Sequence, residues 1–163
     1  MVSVTDFKDA MAKLTTAVHI VTTDGEYGRY GFTASAVASV TDAPPTLLVC
    51  MNTNIRFYEE FVKNGVLCVN TLTAEQSHLS NAFASPLTAE ERFAKASWTT
   101  LTTGSPILEN ALINFDCKIS EVKVVGTHGI LICEIIGIKH SKHHKALTYY
   151  DRAYHQIDEG TAL

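Results

Sequence analysis

The stretch GFTASAVASVTDAPPTLLVCMN, residues Gly31–Asn52, is the part of the chain that decides the fold. Its pattern predicts two β-strands, Gly31–Val40 and Thr46–Asn52, separated at a Pro-Pro corner, because proline cannot donate to a strand ladder and marks a strand end. The first strand carries small and hydroxyl side chains where a core strand would favour β-branched or aromatic ones. Either a ligand fills the space left by these small residues, or a neighbouring element packs closely against them.

Length and composition are those of one globular domain. The 163 residues are 46% hydrophobic and 18% charged, with a net charge of -4. A chain of this size buries roughly 70% of its unfolded surface, so we expect residues 1–163 to form a single domain. The acidic balance argues against a nucleic-acid partner. Because no apolar run approaches the roughly 20 residues of a membrane span and no signal-peptide pattern is present, we expect a cytoplasmic protein with no membrane partner.

The four cysteines, Cys50, Cys68, Cys117 and Cys133, each stand alone inside an apolar run. No CxxC pair and no Cys/His spacing typical of zinc occurs, so no metal site is expected. Buried, reduced thiols that act as small hydrophobes are the simplest interpretation. The basic run KHSKHHK at residues 139–145 resembles a metal tract in composition only, and it is interpreted as a solvated hairpin loop.

Predicted strands dominate the middle and end of the chain, and the predicted helices are short. Further strands are expected at Ala17–Thr23, Val66–Leu72, Leu147–Tyr150 and, as two long strands, between Ala111 and His140. Four helices are expected. The first is capped by Thr5 or Asp6, and the second begins at Asn54 and ends before Gly65. The other two open at capping-box patterns at Thr73 and Thr88. Without a regular βαβ alternation, a doubly wound parallel sheet is not expected. A mainly β, antiparallel β-barrel with short peripheral α-helices fits best.

Several enzyme signatures are absent from the sequence, namely GxGxxG after a strand, the Walker loop, HExxH and GxSxG. Their absence weighs against a Rossmann oxidoreductase, a kinase, a zinc protease and an α/β-hydrolase. It does not weigh against a β-barrel that holds a cofactor through backbone contacts.

A set of segments gives the chain a specific family resemblance. The segments are GFTASAVASVTDAPPTLLVCMN, VLCVNTLTAEQ, FA with ERFA downstream, and GTHGILICEI. Together they resemble the flavin reductase family, whose fold is a flavin-binding split β-barrel. With DAMAKLTTAVHIVTT added, the chain more narrowly resembles the small reductase component of two-component 4-hydroxyphenylacetate 3-monooxygenases. The resemblance extends from about Phe7 to His155.

The resemblance implies an NAD(P)H:flavin oxidoreductase that passes hydride from NADH or NADPH to FAD or FMN. It also implies a homodimer, and a separate oxygenase of aromatic catabolism that receives the reduced flavin by diffusion. Hydride transfer depends mainly on positioning the reacting atoms within roughly 3–3.5 Å, which agrees with the lack of a carboxylate pair or an activated nucleophile. Two alternatives stay open: a flavin-binding electron-transfer or storage module without NADH turnover, and a split-barrel protein that binds haem or another cofactor.

The resemblance assigns the small-residue strand to the flavin ring. Backbone amides and hydroxyls there would hydrogen-bond the ring edge, while the cofactor supplies the electron chemistry. The residues concerned are Thr33, Ala34, Ser35, Ala36, Ser39 and Val40.

Two other segments are assigned to the ribityl-phosphate end of the flavin. The first contributes Cys50, Asn52, Thr53, Asn54 and Arg56, and the second contributes Phe83, Ala84 and Arg92. A helix N-terminus favours phosphate, although an ordinary N-cap explains Asn54 equally well. Relatives often show Asn-Arg/Lys-Ser where this chain has Asn-Thr-Asn at residues 52–54. Because the chain lacks that cation, Arg56 is its nearest positive charge in this segment. Arg92 either pairs with a phosphate or forms a salt bridge with Glu90 or Glu91.

His128 is the predicted catalytic residue, in the turn Gly126-Thr127-His128 where the family has Gly-Asp-His. Its imidazole would contact nicotinamide or donate to the flavin edge where negative charge develops. Without the resemblance, a histidine in a turn would be interpreted as solvated. Tyr154, in the segment RAYH, matches a family ending that covers the nicotinamide side.

Overall fold

The computed structural model describes residues 1–158 and 163. The helices are α1 (Val4–Met11), α2 (Tyr58–Asn64), α3 (Ser77–Phe83, preceded by a 3-10 turn at Ala74–Gln76) and α4 (Ala89–Phe93). The strands are β1 (Thr16–Ala17), β2 (His19–Thr23), β3 (Tyr30–Ala34), β4 (Val37–Asp42), β5 (Pro45–Asn52), β6 (Val66–Thr71), β7 (Trp98–Thr99), β8 (Ile107–Leu108), β9 (Ile113–Val125), β10 (His128–His140), β11 (Ala146–Tyr150) and β12 (Ala153–Ile157).

A seven-stranded antiparallel sheet, in the order β3-β2-β6-β9-β10-β5-β4, forms the body of the protein. A smaller sheet in the order β1-β11-β12 and the β7-β8 pair complete the strand structure. The helices are short; α1 precedes the first strand, and the others lie between strands. The expected mainly β, antiparallel architecture with short helices is therefore confirmed.

Two apolar clusters lie on opposite faces of the main sheet. On β2, Val21 belongs to one cluster and Ile20 to the other, because successive side chains of a strand point to opposite faces. The second cluster includes Leu79 and Phe83 of α3, the residues predicted to face inward. Burying side chains of this size stabilises the fold by roughly 1.5–3 kcal/mol each, so this cluster fixes α3 against the sheet.

The expected single strand Gly31–Val40 is wrong in one respect, because the structure divides it into β3 and β4. The two strands pair with different partners, β3 with β2 and β4 with β5. They lie at opposite edges of the main sheet, so the chain must leave one edge and join the other. Ser35 and Ala36 form this crossing. Within it, the amide of Val37 donates a hydrogen bond to the carbonyl oxygen of Ser35 over 3.0 Å.

Local signals predicted most helix ends correctly. The capping boxes at Thr73 and Thr88 are both present, and Gly65 ends α2 with a φ of 69°. The helix predicted from Asn54 begins later, at Tyr58, and α1 is capped by Ser3 instead of Thr5 or Asp6.

The predicted strand Ala17–Thr23 is interrupted at Val18, since β1 pairs with β11 whereas β2 pairs with β3 and β6. The two long strands predicted after Ala111 are confirmed as β9 and β10. Strand β12 was not predicted. It pairs with β11 through a turn in which Asp151 and Arg152 both have positive φ.

The cysteines carry free thiols, and Cys68, Cys117 and Cys133 are buried while Cys50 is half-buried. Burial raises the pKa of the Cys133 thiol to about 12 and that of the Cys68 thiol well above its ordinary value. Buried thiols held in the neutral form are poor nucleophiles and poor metal ligands.

In the part of the chain that the structure describes, none of the helices is both long and apolar enough to span a membrane.

Candidate functional site

A cavity of about 540 Å³ lies where β3, the start of α2, the end of α3 and α4 meet. It brings together residues that are far apart in the sequence but were predicted to bind the same cofactor. These residues are Thr33, Arg56, Phe83, Ala84 and Arg92.

Two further cavities continue along the crossing from β3 to β4. One, of about 170 Å³, is lined by Thr33, Ala34, Ser35, Ala84 and Tyr154 among others. The other, of about 470 Å³, is lined by Ser35 and Ala36 together with residues of α1 and β11. Neighbouring cavities share lining residues, Thr33 and Ala84 for the first pair and Ser35 for the second, so the three lie side by side. We call the three cavities together the groove.

The small residues of the crossing have different structural roles. The Thr33 hydroxyl donates to the carbonyl oxygen of Ser80 over 2.7 Å and so ties β3 to α3. Ala34 is only 7% exposed and packs in the core cluster inside the sheet. Ser35 and Ala36 are exposed in the groove. Ala34 is therefore packed against protein, as the second alternative expects. Its two successors are open, and a ligand at that position stays a prediction.

Cys50 lies beside the crossing, since its amide donates to the carbonyl oxygen of Ala36 over 3.0 Å. Ser39 and Val40 lie farther along β4, on exposed positions of an edge strand. The structure does not bring these two residues into the cavities that form the groove.

Arg92 is held by backbone groups on two sides. Its terminal nitrogens donate to the carbonyl oxygens of Gly31, over 2.7 Å, and Ser85. Burial, and then the positive charge of Arg56, lower the pKa of the Arg92 guanidinium. The salt bridge with Glu90 or Glu91, one of the two alternatives for Arg92, is not among its contacts with the described residues. Glu91 instead accepts a hydrogen bond from Thr88 in the α4 capping box. Arg56 is exposed in the same cavity.

The segment between β5 and α2 forms its own turn. The amide of Asn54 donates to Oδ1 of Asn52 over 2.9 Å. Asn54 is not the N-cap of α2, because that position is taken by Phe57. The amide and the hydroxyl of Thr53 both donate to the carbonyl oxygen of Thr127, over 2.9 and 3.1 Å. This turn is therefore attached to the turn that precedes β10.

His128 is the first residue of β10 and lies opposite Asn52 in the register of β10 and β5. Its ring is exposed, and Nδ1 lies 2.9 Å from the hydroxyl of Thr127. The structure places His128 beside the Asn52–Asn54 turn rather than in the groove itself. Two of the predicted segments, distant in sequence, thus meet at one end of the sheet.

Tyr154 lies over α3, where its hydroxyl donates to Oδ1 of Asn81 over 3.2 Å and is 2.6 Å from Oγ of Ser80. Its ring packs against that of Tyr149, with the ring centroids 5.3 Å apart. Ser80 and Tyr149 line the groove but were not predicted. Tyr149 lies on β11 and faces Tyr154 only through the pairing of β11 with β12, a strand that was not predicted.

The basic run at residues 139–145 lies at the connection from β10 to β11 and borders a separate depression with Thr73 and Glu75. Among the described residues, no set of three or more His, Cys, Asp or Glu side chains lies together in a way that could hold a metal ion.

The residues of the groove fit a flavin nucleotide. One end holds two guanidinium groups, and Nε of Arg92 is buried with no hydrogen-bond partner among the described residues. The other end is lined by Ser35 and Ala36, which are exposed and have small side chains. An elongated molecule with an anionic end and a flat end matches this distribution, since guanidinium groups suit phosphate.

Comparisons with known proteins agree with this description. Residues 11–158 match the family model described as Flavin reductase like domain. The chain is 53% identical over 152 residues to the FMN reductase (NADH) RutF of Serratia proteamaculans (strain 568), which covers 93% of this chain and 87% of that protein.

Solved structures share the fold. A proposed flavin reductase from Haemophilus somnus superposes with a TM-score of 0.93 at 69% identity, covering 96% of this chain and 100% of that one. A homologue of nitrilotriacetate monooxygenase component B from Mycobacterium thermoresistibile superposes with a TM-score of 0.87 at 27% identity, covering 96% and 89%.

Proposed function

The chain belongs to the flavin reductase like domain family, and from this membership we propose that it is an oxidoreductase that transfers hydride from NADH to a flavin. The observation that carries the proposal is the groove, which joins Arg56 and Arg92 at one end to the open crossing at Ser35 and Ala36 at the other. The expected family is confirmed, and the roles of individual residues given below are proposals.

Each end of the groove has a proposed binding role. Arg56, exposed in the cavity, binds the phosphate, while Arg92 holds the cavity wall through its backbone contacts. The amides of Ser35 and Ala36 orient the flat ring, since the carbonyl oxygens of these residues already accept from the amides of Val37 and Cys50. A bound flavin would supply the electron-accepting ring, and the protein supplies binding, orientation and electrostatics. Phe83 and Ala84 close the side of the cavity formed by the end of α3.

His128 and Tyr154 are proposed to shape the nicotinamide side. An imidazole N–H can donate to an atom on which negative charge develops, and such oriented donors are effective in sites with little water. Tyr154 is fixed by its contacts with Ser80 and Asn81, so its ring can cover a second planar ligand without large rearrangement.

FMN and NADH are the proposed preferred pair, with FAD and NADPH as weaker alternatives. The relative at 53% identity is named FMN reductase (NADH). At that level of identity over most of both chains, we expect the same choice of flavin and nicotinamide.

The proposed recipient of the reduced flavin is a separate oxygenase that acts on an aromatic compound. Support for a separate oxygenase comes from the likeness to a homologue of nitrilotriacetate monooxygenase component B. The aromatic substrate rests on the sequence resemblance alone. The exposure of Ser35, Ala36 and Arg56 favours release of the flavin, because these contacts form at the protein surface.

A homodimer is proposed from the exposure of α1. All eight residues of this helix are exposed, including Phe7 at 59% and Met11 at 47%. Helices shorter than about 12–15 residues are marginal in water without tertiary packing. We therefore propose that a second copy of the chain covers Phe7, Met11 and Leu14.

The proposal treats residues 1–163 as one flavin-reductase-like domain and places it in the cytoplasm. The free thiols suit a reducing compartment, which is also where NADH is available.

The test is to mix the purified protein with NADH and either FMN or FAD and to record NADH absorbance. Rapid loss of NADH that requires added flavin is the expected result, with FMN faster than FAD. No loss with either flavin would refute the reductase proposal. Retention of a tightly bound flavin without NADH oxidation would instead favour an electron-transfer or storage module, and a haem absorbance band would favour the third alternative.

A further inference from the structure

The turn that carries His128 is fixed on both sides. Before the histidine, the carbonyl oxygen of Thr127 accepts hydrogen bonds from the amide and the hydroxyl of Thr53. After it, Gly129 packs so closely on Tyr58 that a β-carbon at this position would collide with the tyrosine ring. The backbone at His128 therefore has little freedom, and only the ring orientation remains to be set.

The hydroxyl of Thr127 is a hydrogen-bond partner of that ring. It lies 2.9 Å from Nδ1 of His128, within hydrogen-bond distance. A neutral imidazole has one donor and one acceptor nitrogen, and a hydroxyl can serve either role. If the hydroxyl donates, Nδ1 is the acceptor and the ring proton lies on Nε2.

The contacts of Thr53 change its expected role. Thr53 was predicted to belong to the segment at the ribityl-phosphate end of the flavin, but its amide and its hydroxyl both donate to the carbonyl oxygen of Thr127. Thr53 thus holds the turn of His128 in place at the point where that turn meets the segment leading to Arg56.

We propose that Thr127 and Thr53 are positioning residues for His128. The Thr127 hydroxyl donates to Nδ1 of His128, so the ring proton lies on Nε2 and can be donated to a bound ligand. Thr53 holds the turn that carries the histidine. The catalytic role of His128 in this inference rests on the proposed function. Which ring nitrogen carries the proton does not depend on it. A donor fixed before the ligand arrives needs no reorganisation during the reaction. The hydroxyl achieves this without placing a second charge beside the imidazole.

The first test measures the ring directly, in the full chain without flavin or NADH. Long-range ¹H–¹⁵N correlations distinguish the two imidazole nitrogens, and the His128 signals are assigned by comparison with His128→Gln. At a pH at which the ring is neutral, we expect the proton on Nε2 and an Nδ1 signal shifted by hydrogen bonding. A proton on Nδ1 in the unsubstituted protein would overturn the proposal.

Substitutions at position 127 make this test specific. Thr127→Val keeps the shape but removes the hydroxyl, so the Nδ1 signal is expected to move to that of an unbonded imidazole. Thr127→Ser should restore the original signal, and Thr127→Asp should transfer the ring proton to Nδ1, because a carboxylate only accepts. An unchanged Nδ1 signal in Thr127→Val would refute the contact even if the enzyme is active.

Kinetics then separate the inference from the proposed function. Loss of a neutral hydrogen bond corresponds to about a 2- to 10-fold effect, so Thr127→Val and Thr53→Val should lower kcat by that factor with little change in the KM for NADH. Thr127→Ser and Thr53→Ser should restore kcat. If His128→Gln keeps full activity, the proposed catalytic role of His128 fails while the NMR result stands. If His128→Gln is impaired but Thr127→Val is not, the positioning role fails.

Discussion

Arg92 donates a hydrogen bond of 2.7 Å to the carbonyl oxygen of Gly31, a residue 61 positions earlier in the chain. This contact joins α4 to β3 across the cavity. Gly31 is closely packed as well, since a β-carbon there would lie 2.7 Å from the ring of Phe83. Arg92 therefore belongs to the wall of the cavity, whereas Arg56 in the same cavity is exposed.

Replacing Arg92 with lysine should weaken both the fold and flavin binding. Lysine keeps the charge but cannot reach Gly31 and Ser85 with two fixed nitrogens, and hydrogen bonds from charged groups contribute about 1.5–3 kcal/mol. We expect the free energy of unfolding to fall by about that amount in urea titrations. A variant with unchanged stability would show that Arg92 does not hold the cavity wall.

Arg56→Gln should have the opposite profile, with unchanged stability and weaker flavin binding. Removing an exposed phosphate-binding cation should raise the flavin Kd about 10-fold, measured by quenching of flavin fluorescence. Lys142→Gln is the matched control, because it removes the same charge from the basic loop, outside the groove. Equal effects of both substitutions would indicate a general charge effect and would contradict a specific phosphate contact.

Ala36→Leu should abolish flavin binding with little effect on stability, because Ala36 is exposed in the groove. Surface substitutions usually change stability by no more than about 0.5 kcal/mol. Ala34→Leu should instead destabilise the protein by about 1–3 kcal/mol, since Ala34 is buried in the core. Ala36→Ser serves as the control of similar size. Normal binding by Ala36→Leu would mean that the flavin lies elsewhere.

The buried His19 should make the protein less stable in acid. Burial lowers the pKa of His19 from 6.5 to about 4, and its Nδ1 lies 2.9 Å from the hydroxyl of Thr71. The unfolded chain therefore binds a proton near pH 6.5 and the folded chain only near pH 4, so stability is lost as the pH falls between these values. The difference corresponds to at most about 3 kcal/mol.

The measurement compares His19→Asn with the unsubstituted protein in urea titrations at several pH values between 6.5 and 4. Asparagine is small and neutral and can still contact Thr71. The variant should be less stable near neutral pH because of lost packing, but its free energy of unfolding should change less as the pH falls. Parallel curves for the two proteins would exclude His19 as a source of the pH dependence.

Phe7→Glu should shift the proposed dimer toward the monomer. A charge in the centre of an apolar contact cannot be buried without a partner, so association is weakened. Molar mass from light scattering after gel filtration is the measurement, and Thr5→Glu, on the opposite side of α1, is the control. A monomeric unsubstituted protein, or a dimer unaffected by Phe7→Glu, would contradict the proposed interface.

Local features of the sequence predicted three of the helix ends and the two long strands. Each of these helix ends depends on residues within a few positions of one another. They are the capping boxes at Thr73 and Thr88 and the C-terminal end of α2 at Gly65. Such contacts form in any fold that allows the helix, so they can be read without knowing the partners. The family resemblance added the grouping of the flavin-binding segments, which local patterns alone do not give.

The sequence by itself therefore determined the strand-rich composition, the helix caps and the presence of a small-residue segment at 33–36. Only the tertiary structure decided that this segment crosses between the two edges of the sheet, that Ala34 is buried while Ala36 is open, and that Arg92 binds Gly31. The physical reason is that strand pairing and side-chain partners here connect residues far apart in the chain. Which of two small neighbours is buried depends on what packs against each of them, and no pattern within the segment contains that information.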